Sequence, residues 1–464
     1  MAASALGACY HTDLGGAPFS CPDGTCPDGY VCKAAVCVPA DAAAPPVLIA
    51  RTATTSASSS PQPVRFAGGF GVFYLRGVDD PAPGLHFSTI DSGDSGDSGD
   101  AGAPAGLGTV DRLIVDGHGI ISDRSDVAFT AGYNPSLNAY GVAVRINDPD
   151  LGNRLVFHGL SEDGTTDLQL TSSLPATGGF GFGAPSLAVH VGSSPSVCTN
   201  AFILAYTYGD AGAYARDNVL CDLIAYDLAS HTLVTETEGT CSRTPLTVLD
   251  GRYCYPDTTL CNGGACPLFT GGDFVEEVTA LDAGEQLVLF WRGLASPTVH
   301  VNMRTYDDTR HGLGGDVAGA FWGTAQIGHV LRGAWFLDPT GPSAYGAIVS
   351  PVPPAPAPWE ALLGKAPDVR AAPAPSTIAP DIVADADGGR FAVCTVQPDG
   401  ELAIVLSPPD ASAASTTIAV PRVSDAPIVS CRLARGAGAA LGVSWQEYAP
   451  PGYSVYFTSV ALPK

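Results

Sequence analysis

Lysine is almost missing from this chain: it occurs only at Lys33, Lys365 and Lys464, and the 464 residues carry a formal charge of −24 at pH 7. Nucleic acid and anionic lipid are gripped by clustered cations that displace counterions, and no polybasic segment is present, so neither is a partner. Long apolar runs are missing too. With no stretch long enough to cross a bilayer as a helix, the expected route to a membrane is a covalent anchor. Charge of either sign is scarce, since Asp, Glu, Lys and Arg make up 15% of the chain where an ordinary soluble domain has roughly 25%. Most of the sequence must therefore be buried or lie in uncharged loops. None of the 13 cysteines forms a Cys-x-x-Cys pair, which removes the commonest zinc-knuckle and thioredoxin-like arrangements and leaves disulfides in an oxidising compartment as the economical account. A Gly-x-Ser-x-Gly elbow, a His-Glu-x-x-His helix and a phosphate-cradling glycine loop are likewise absent.

Glycine and proline are abundant, at 55 and 39 residues. Both weaken helix interiors and both serve tight turns between short strands, so the expected fold class is all-β.

The chain opens MAASALGACYHTD. Leu6-Gly7-Ala8-Cys9 resembles a bacterial lipobox, in which a branched apolar residue and two small ones precede the cysteine that is acylated. The resemblance implies lipidation at Cys9, with residues 1–9 as the remnant of an export signal. The other reading of Cys9 is a disulfide or a free thiol. With Cys9 set aside, twelve cysteines remain, a number that can pair completely.

Residues 10–39 contain FSCPDGTCPDGYVCKAAVCVP, with Cys21, Cys26, Cys32 and Cys37 among Pro-Asp-Gly turns. A piece this small has no room for an apolar core and must be stapled. An interleaved order, Cys21 with Cys32 and Cys26 with Cys37, is the expected pairing; the other connectivities stay open, and a zinc ion held by the four thiolates is the rival reading. The segment resembles the short Cys-rich knob that follows the anchor in surface lipoproteins of GC-rich Gram-negative bacteria. The Ala/Pro stretch 40–46 reads as a hinge.

From residue 46 to 464 one theme recurs: an apolar strand, a Gly- or Asp-rich turn, and a second strand that ends in an aromatic. PVRFAGGFGVFYLRG, VTALDAGEQLVLFWRG and DIVADADGGRFAVCTVQPDGELAIVLS all follow it. Taking Tyr74, Phe129, Tyr206, Trp291, Trp335, Thr395 and Trp445 as second-strand markers gives intervals that hold three or four short strands plus loops. The expected architecture is a single β-propeller of seven blades, with six as the alternative. Asp387-Gly388-Gly389 and Pro398-Asp399-Gly400 are the expected positive-φ turns. PVLIART, residues 46–52, is the strand expected to complete the last blade and latch the ring. The closing motif GVSWQE…YSVYFTSVAL resembles a blade of the irregular propellers of bacterial surface proteins.

The longest interval, about 207–275, reads as a Cys-rich insertion cross-linked through Cys241, Cys254, Cys261 and Cys266, with Cys198 and Cys221 joining neighbouring strands. Cys394 and Cys431 occupy similar places in successive blades and are expected to bridge them.

Few residues announce chemistry. Asp91, Asp94, Asp97 and Asp100 repeat with period three in DSGDSGDSGD and are the one calcium candidate, although a calcium loop alternates acids at every second position; no other cofactor is expected. Ser161-Glu162-Asp163-Gly164-Thr165-Thr166 reads as a plain hairpin turn in preference to a sialidase-like Asp-box. His300, His311, Asp307 and Asp308 lie close in sequence without guaranteeing convergence. Trp291, Trp322, Trp335 and Trp445 read as blade core, and Trp359, in PVPPAPAPWE, as an exposed contact. The leading expectation is an exported, lipid-anchored propeller that binds a protein or glycan at the cell surface, outer membrane or periplasm. A propeller enzyme acting on polysaccharide through carboxylates from separate blades is the alternative, and a structural part of a surface assembly is the third.

Overall fold

The computed structural model describes residues 19–20, 30–33, 36–39 and most of 46–463; the longer stretches outside the description are 1–18, 21–29, 40–45, 53–60, 92–110, 121–127, 173–179, 193–198, 211–217, 252–274, 306–330, 337–343 and 350–358. Every regular element among the described residues is a β-strand. Near the N-terminus, Phe19–Ser20, Tyr30–Lys33 and Val36–Pro39 form a three-stranded sheet in which Cys32 and Cys37 stand opposite each other on neighbouring strands.

Seven further sheets follow along the described chain, spanning 62–116, 129–172, 186–237, 275–305, 331–374, 381–419 and 428–461. Each is an antiparallel meander, numbered here as blades 1 to 7. Their first strands are Gln62–Phe66, Phe129–Asn134, Ser186–His190, Val275–Asp282, Leu331–Phe336, Asp381–Asp385 and Ile428–Arg435. Each of these touches the first strand of the next blade, and the seventh touches the first, so they line a closed ring. The expected β-propeller is the fold.

The ring is sealed as the apolar run PVLIART suggests. Val47–Thr52 pairs antiparallel with Gly452–Ala461, and its Thr52 stands opposite Tyr453. Blade 7 is therefore built from both ends of the chain, which removes the free edge an open array would leave.

Burial follows position within a blade. Inner and second strands are covered on both faces and read as apolar runs: Phe129–Asn134 is buried throughout, and so are the middle six residues of Gly69–Arg76. Outer strands face water, as exposed Ser242–Pro245 and mostly exposed Thr416–Ala419 do. The apolar cores lie between blades, as where Leu441, Val443 and Trp445 of blade 7 meet Ala392, Cys394 and Ile404 of blade 6. Two turns expected from sequence are present, with Gly389 at φ 62° and Gly400 at φ 88°. In the second, the Gly400 N–H donates to the Gln397 carbonyl at 2.9 Å, a left-handed closure that favours glycine. The Thr166 N–H donates to the Ser161 hydroxyl at 2.9 Å, and Asp163, Gly164 and Thr165 between them lie outside the described residues.

Three expectations are corrected. Phe129 and Trp335 lie on first strands, whereas Tyr74, Tyr206, Trp291, Thr395 and Trp445 lie on second strands; strands covered on both faces share one apolar pattern, so their rank within a blade is hidden. Trp359 begins a strand, Trp359–Lys365, paired on both sides within blade 5, and does not lie in a proline-rich loop, because the ladder overrides the prolines before it; its expected exposure lies outside the described residues. Part of the expected insertion at 207–275 is blade, and its residues 252–274 lie outside the description. Asn218–Asp227 and Thr232–Thr237 are the third and fourth strands of blade 3, Ser242–Pro245 extends its edge, and Val248–Leu249 runs parallel to the outer strand of blade 2.

The bridge between successive blades is present, Cys394 being disulfide-bonded to Cys431 with Cα atoms 6.4 Å apart. Cys221 is also disulfide-bonded and fully buried. Cys9, Cys21, Cys26, Cys198, Cys241, Cys254, Cys261 and Cys266 lie outside the described residues, as do Asp94, Asp97 and Asp100; Asp91 is described only as the last residue of strand Gly84–Asp91. His311, Asp307, Asp308 and Trp322 also lie outside the description.

Candidate functional site

The inner strands enclose a channel with a cavity of about 440 Å³, lined by residues from all seven blades. That volume lies within the range of roughly 300–1,000 Å³ typical of small-molecule sites. Its walls differ in chemistry. Blades 5, 6 and 7 contribute Arg332, Asp381, Arg432 and Arg435, while blades 2 to 4 contribute mainly Ala188, Val189, Val278, Ala280 and Leu281, with hydroxyls at Thr130, Ser186 and Thr279.

The charged wall is laced across three blades. Asp381 opens the inner strand of blade 6, and its Oδ1 lies 3.2 Å from Nη1 of Arg332 in blade 5 and 3.6 Å from Nη1 of Arg432 in blade 7. Its Oδ2 accepts the Leu433 N–H at 2.8 Å. At the finishing end of the same strands Arg435 lies 3.3 Å from Asp385 and 2.5 Å from Asp387, and donates to the Ala384 carbonyl at 3.0 Å. Ion pairs this enclosed are strong only when their geometry is fixed, and the ladders of three sheets fix it here. The guanidinium groups are thereby held in place before any ligand arrives.

The facing wall is pinned by uncharged bonds. Ser186 accepts the Ala280 N–H at 2.9 Å, and the Thr279 hydroxyl donates to the Leu331 carbonyl at 3.0 Å. Where the inner strands of blades 3 and 4 end, His190 Nδ1 meets Asp282 Oδ1 at 2.9 Å, and Asp282 lines the cavity.

Trp335 also lines this cavity, partly exposed. Its indole Nε1 is shut from solvent and has no hydrogen-bond partner among the described residues, a condition that costs about 1–3 kcal/mol. Trp445 behaves differently. It is fully buried, stacks on Tyr456 at 5.5 Å between ring centroids, and donates from Nε1 to Glu447 at 3.0 Å. The core reading holds for Trp445, whereas Trp335 faces the channel.

Two polar clusters lie away from the channel. In blade 1, Asp111 accepts from the Tyr74 hydroxyl at 2.7 Å and pairs with His86 at 2.8 Å and Arg76 at 2.5 Å. Burial alone would raise the Asp111 pKa, but these donors outweigh it and hold it below the ordinary carboxylate value, while burial pushes Tyr74 up to about 12. In blade 3, Asp222 accepts from the Tyr206 hydroxyl at 2.9 Å and from the N–H groups of Asp250 and Gly251 at 3.1 and 3.0 Å. Here burial wins, and the carboxyl is raised to about 6.

No group of three or more His, Cys, Asp or Glu side chains is placed to hold a metal among the described residues. No described helix is long and apolar enough to cross a membrane. Sequence reasoning missed Arg332, Asp381, Arg432 and Arg435. A signal was present, because LRGAWF and IVSCRLAR each place arginine inside an apolar first strand of a chain poor in charge.

No family model and no curated protein matches this sequence. Among solved structures it is similar to an α-L-arabinanase of Penicillium chrysogenum complexed with arabinobiose, at 12% identity over 90% of this chain and 98% of the other, with a TM-score of 0.42. It is also similar to the six-bladed fucose-recognising lectin of Aleuria aurantia, at 11% identity over 80% and 97% of the two chains and a TM-score of 0.40. A polysaccharide lyase, Uly1, aligns over 85% of this chain and 75% of its own at 9% identity, with a TM-score of 0.32.

Proposed function

We propose that the chain is a binding module that takes a glycan in the channel of its propeller. The observation that carries this reading is the division of the channel into two chemistries. One wall is a fixed lattice of guanidinium and carboxylate groups on blades 5 to 7; the other is small, apolar and hydroxyl-bearing. A sugar ring has the same division, with hydroxyl groups around its edge and C–H bonds on its faces. Its edge hydrogen-bonds to the arginines and Asp381, and its face packs on the apolar wall. A rigid closed ring holds these groups in register, so little ordering is lost on binding. The carboxylate of Asp381, enclosed by two arginines and a backbone N–H, serves in this reading to orient the guanidinium groups.

The proposal includes the setting. The buried disulfide between Cys394 and Cys431 supports an oxidising compartment outside the cytoplasm, and attachment through a lipidated Cys9 at the cell surface is part of the same reading.

Isothermal titration against neutral and uronate-containing oligosaccharides tests the binding function. Arg332→Met and Arg432→Met keep side-chain bulk and remove the guanidinium, and each is expected to weaken binding by tenfold or more. Absence of binding to any glycan by the unmodified protein overturns the reading, and release of new reducing ends from a bound glycan replaces it with the enzyme.

A further inference from the structure

Trp335 sits where the ring could have used a cheaper residue. It is the second-last residue of its inner strand, and its neighbours Ala334 and Phe336 are buried. Phenylalanine at position 335 would supply the same apolar contact without a buried indole donor that lacks a partner. Trp445, Tyr74, Tyr140 and Tyr206 are fully buried. Trp335 keeps part of its ring open to the cavity.

Its surroundings fit a ligand contact. Asp282 and Arg435 close the inner strands of blades 4 and 7, and both line the cavity that Trp335 lines. The bond from the Thr279 hydroxyl to the Leu331 carbonyl sets the register between blades 4 and 5 and carries Asp282 toward the level of Trp335. A flat aromatic surface accompanied by a carboxylate and a guanidinium is a surface on which a pyranose stacks while its hydroxyls find both an acceptor and a donor.

We infer that Trp335 is a specificity-determining contact at the finishing end of the channel, where a sugar ring stacks on the exposed part of the indole. This rests on the glycan-binding reading above and adds to it a second ligand-contacting tier, distinct from the Arg332–Asp381–Arg432 tier. A ligand that spans both tiers is longer than one sugar unit.

The test compares Trp335→Phe and Trp335→Leu in the full chain, titrated with the tightest binder from a panel of arabino-, xylo-, manno- and galacturono-oligosaccharides of two to six units. Trp335→Phe keeps an aromatic ring of smaller stacking area and removes the buried unpaired donor; it is expected to bind five- to twentyfold more weakly while melting at the same or a higher temperature. Trp335→Leu is expected to lose more affinity than Trp335→Phe. Affinities of both variants within twofold of the unmodified protein, with Arg332→Met still impaired, overturn the Trp335 contact and leave the binding function standing. A melting temperature that falls in Trp335→Phe while affinity is kept also overturns it, since the indole is then serving packing. Failure of the unmodified protein to bind the panel brings down the function itself.

Discussion

A carboxyl group enclosed in an apolar blade must be met by donors or give up its charge, and Asp222 shows both. Three hydrogen bonds converge on it, yet burial still lifts its pKa above the ordinary carboxylate value, to about 6. The folded protein therefore holds a proton that the unfolded chain releases. The stability this group contributes is full below about pH 4 and is lost as pH rises through about 6. Asp222→Asn keeps an amide oxygen for the Asp250 and Gly251 N–H groups and cannot ionise. Thermal unfolding at pH 4, 5.5 and 7 is expected to show the variant equal to or above the unmodified protein at pH 7, with a gain on the order of 2–3 kcal/mol. Parallel pH profiles for the two proteins would refute the assignment. The fixed point matters beyond its own blade, because Asp250 and Gly251 follow the short strand Val248–Leu249 that reaches back to blade 2.

Among the elements, Val47–Thr52 has the largest consequence for its size. Ile49 and Ala50 pack with Val455 and Phe457 of blade 7 and with Phe70, Val72 and Tyr74 of blade 1. Ile49→Ala is expected to cost about 2–4 kcal/mol in urea denaturation, and the loss should be shared by blades 1 and 7 because both line that core. This strand was legible from sequence, since an apolar run with β-branched residues beside prolines has no partner nearby and the final blade needs one. The rank of Trp335 was not legible. In a propeller the first and second strands are both covered on two faces, so neither alternation nor length separates them. The strand that begins at Trp359 was hidden for a different reason: the prolines before it suggest a loop, while the strand pairings that decide its state come from the strands on either side of it.

At the scale of the molecule, the blades are held by cores between sheets and by at least one covalent link. The bond between Cys394 and Cys431, 37 residues apart in sequence, joins successive blades 6 and 7, and the chain entropy of the closed loop gives its removal a cost of about 3–4 kcal/mol. The double variant Cys394→Ala/Cys431→Ala is expected to unfold at correspondingly lower urea concentration, and an unchanged midpoint would show that the native fold gains nothing from the bond. The same scale explains why the channel stayed hidden from sequence reasoning. Arg332, Asp381 and Arg432 meet only after three blades have formed and docked, and no local spacing encodes that meeting. Their legible trace is local and weaker, a cation within an apolar strand.

The pairing of Thr52 with Tyr453 also sets the order in which this molecule can be completed during synthesis. The strand that seals the circle leaves the ribosome ahead of blades 1 to 6, and the partner it requires follows all six. While those blades are being made the early strand has nowhere native to dock, and it remains available to neighbouring chains. Any pause that releases a product cut short before Tyr453 leaves an unsealed ring.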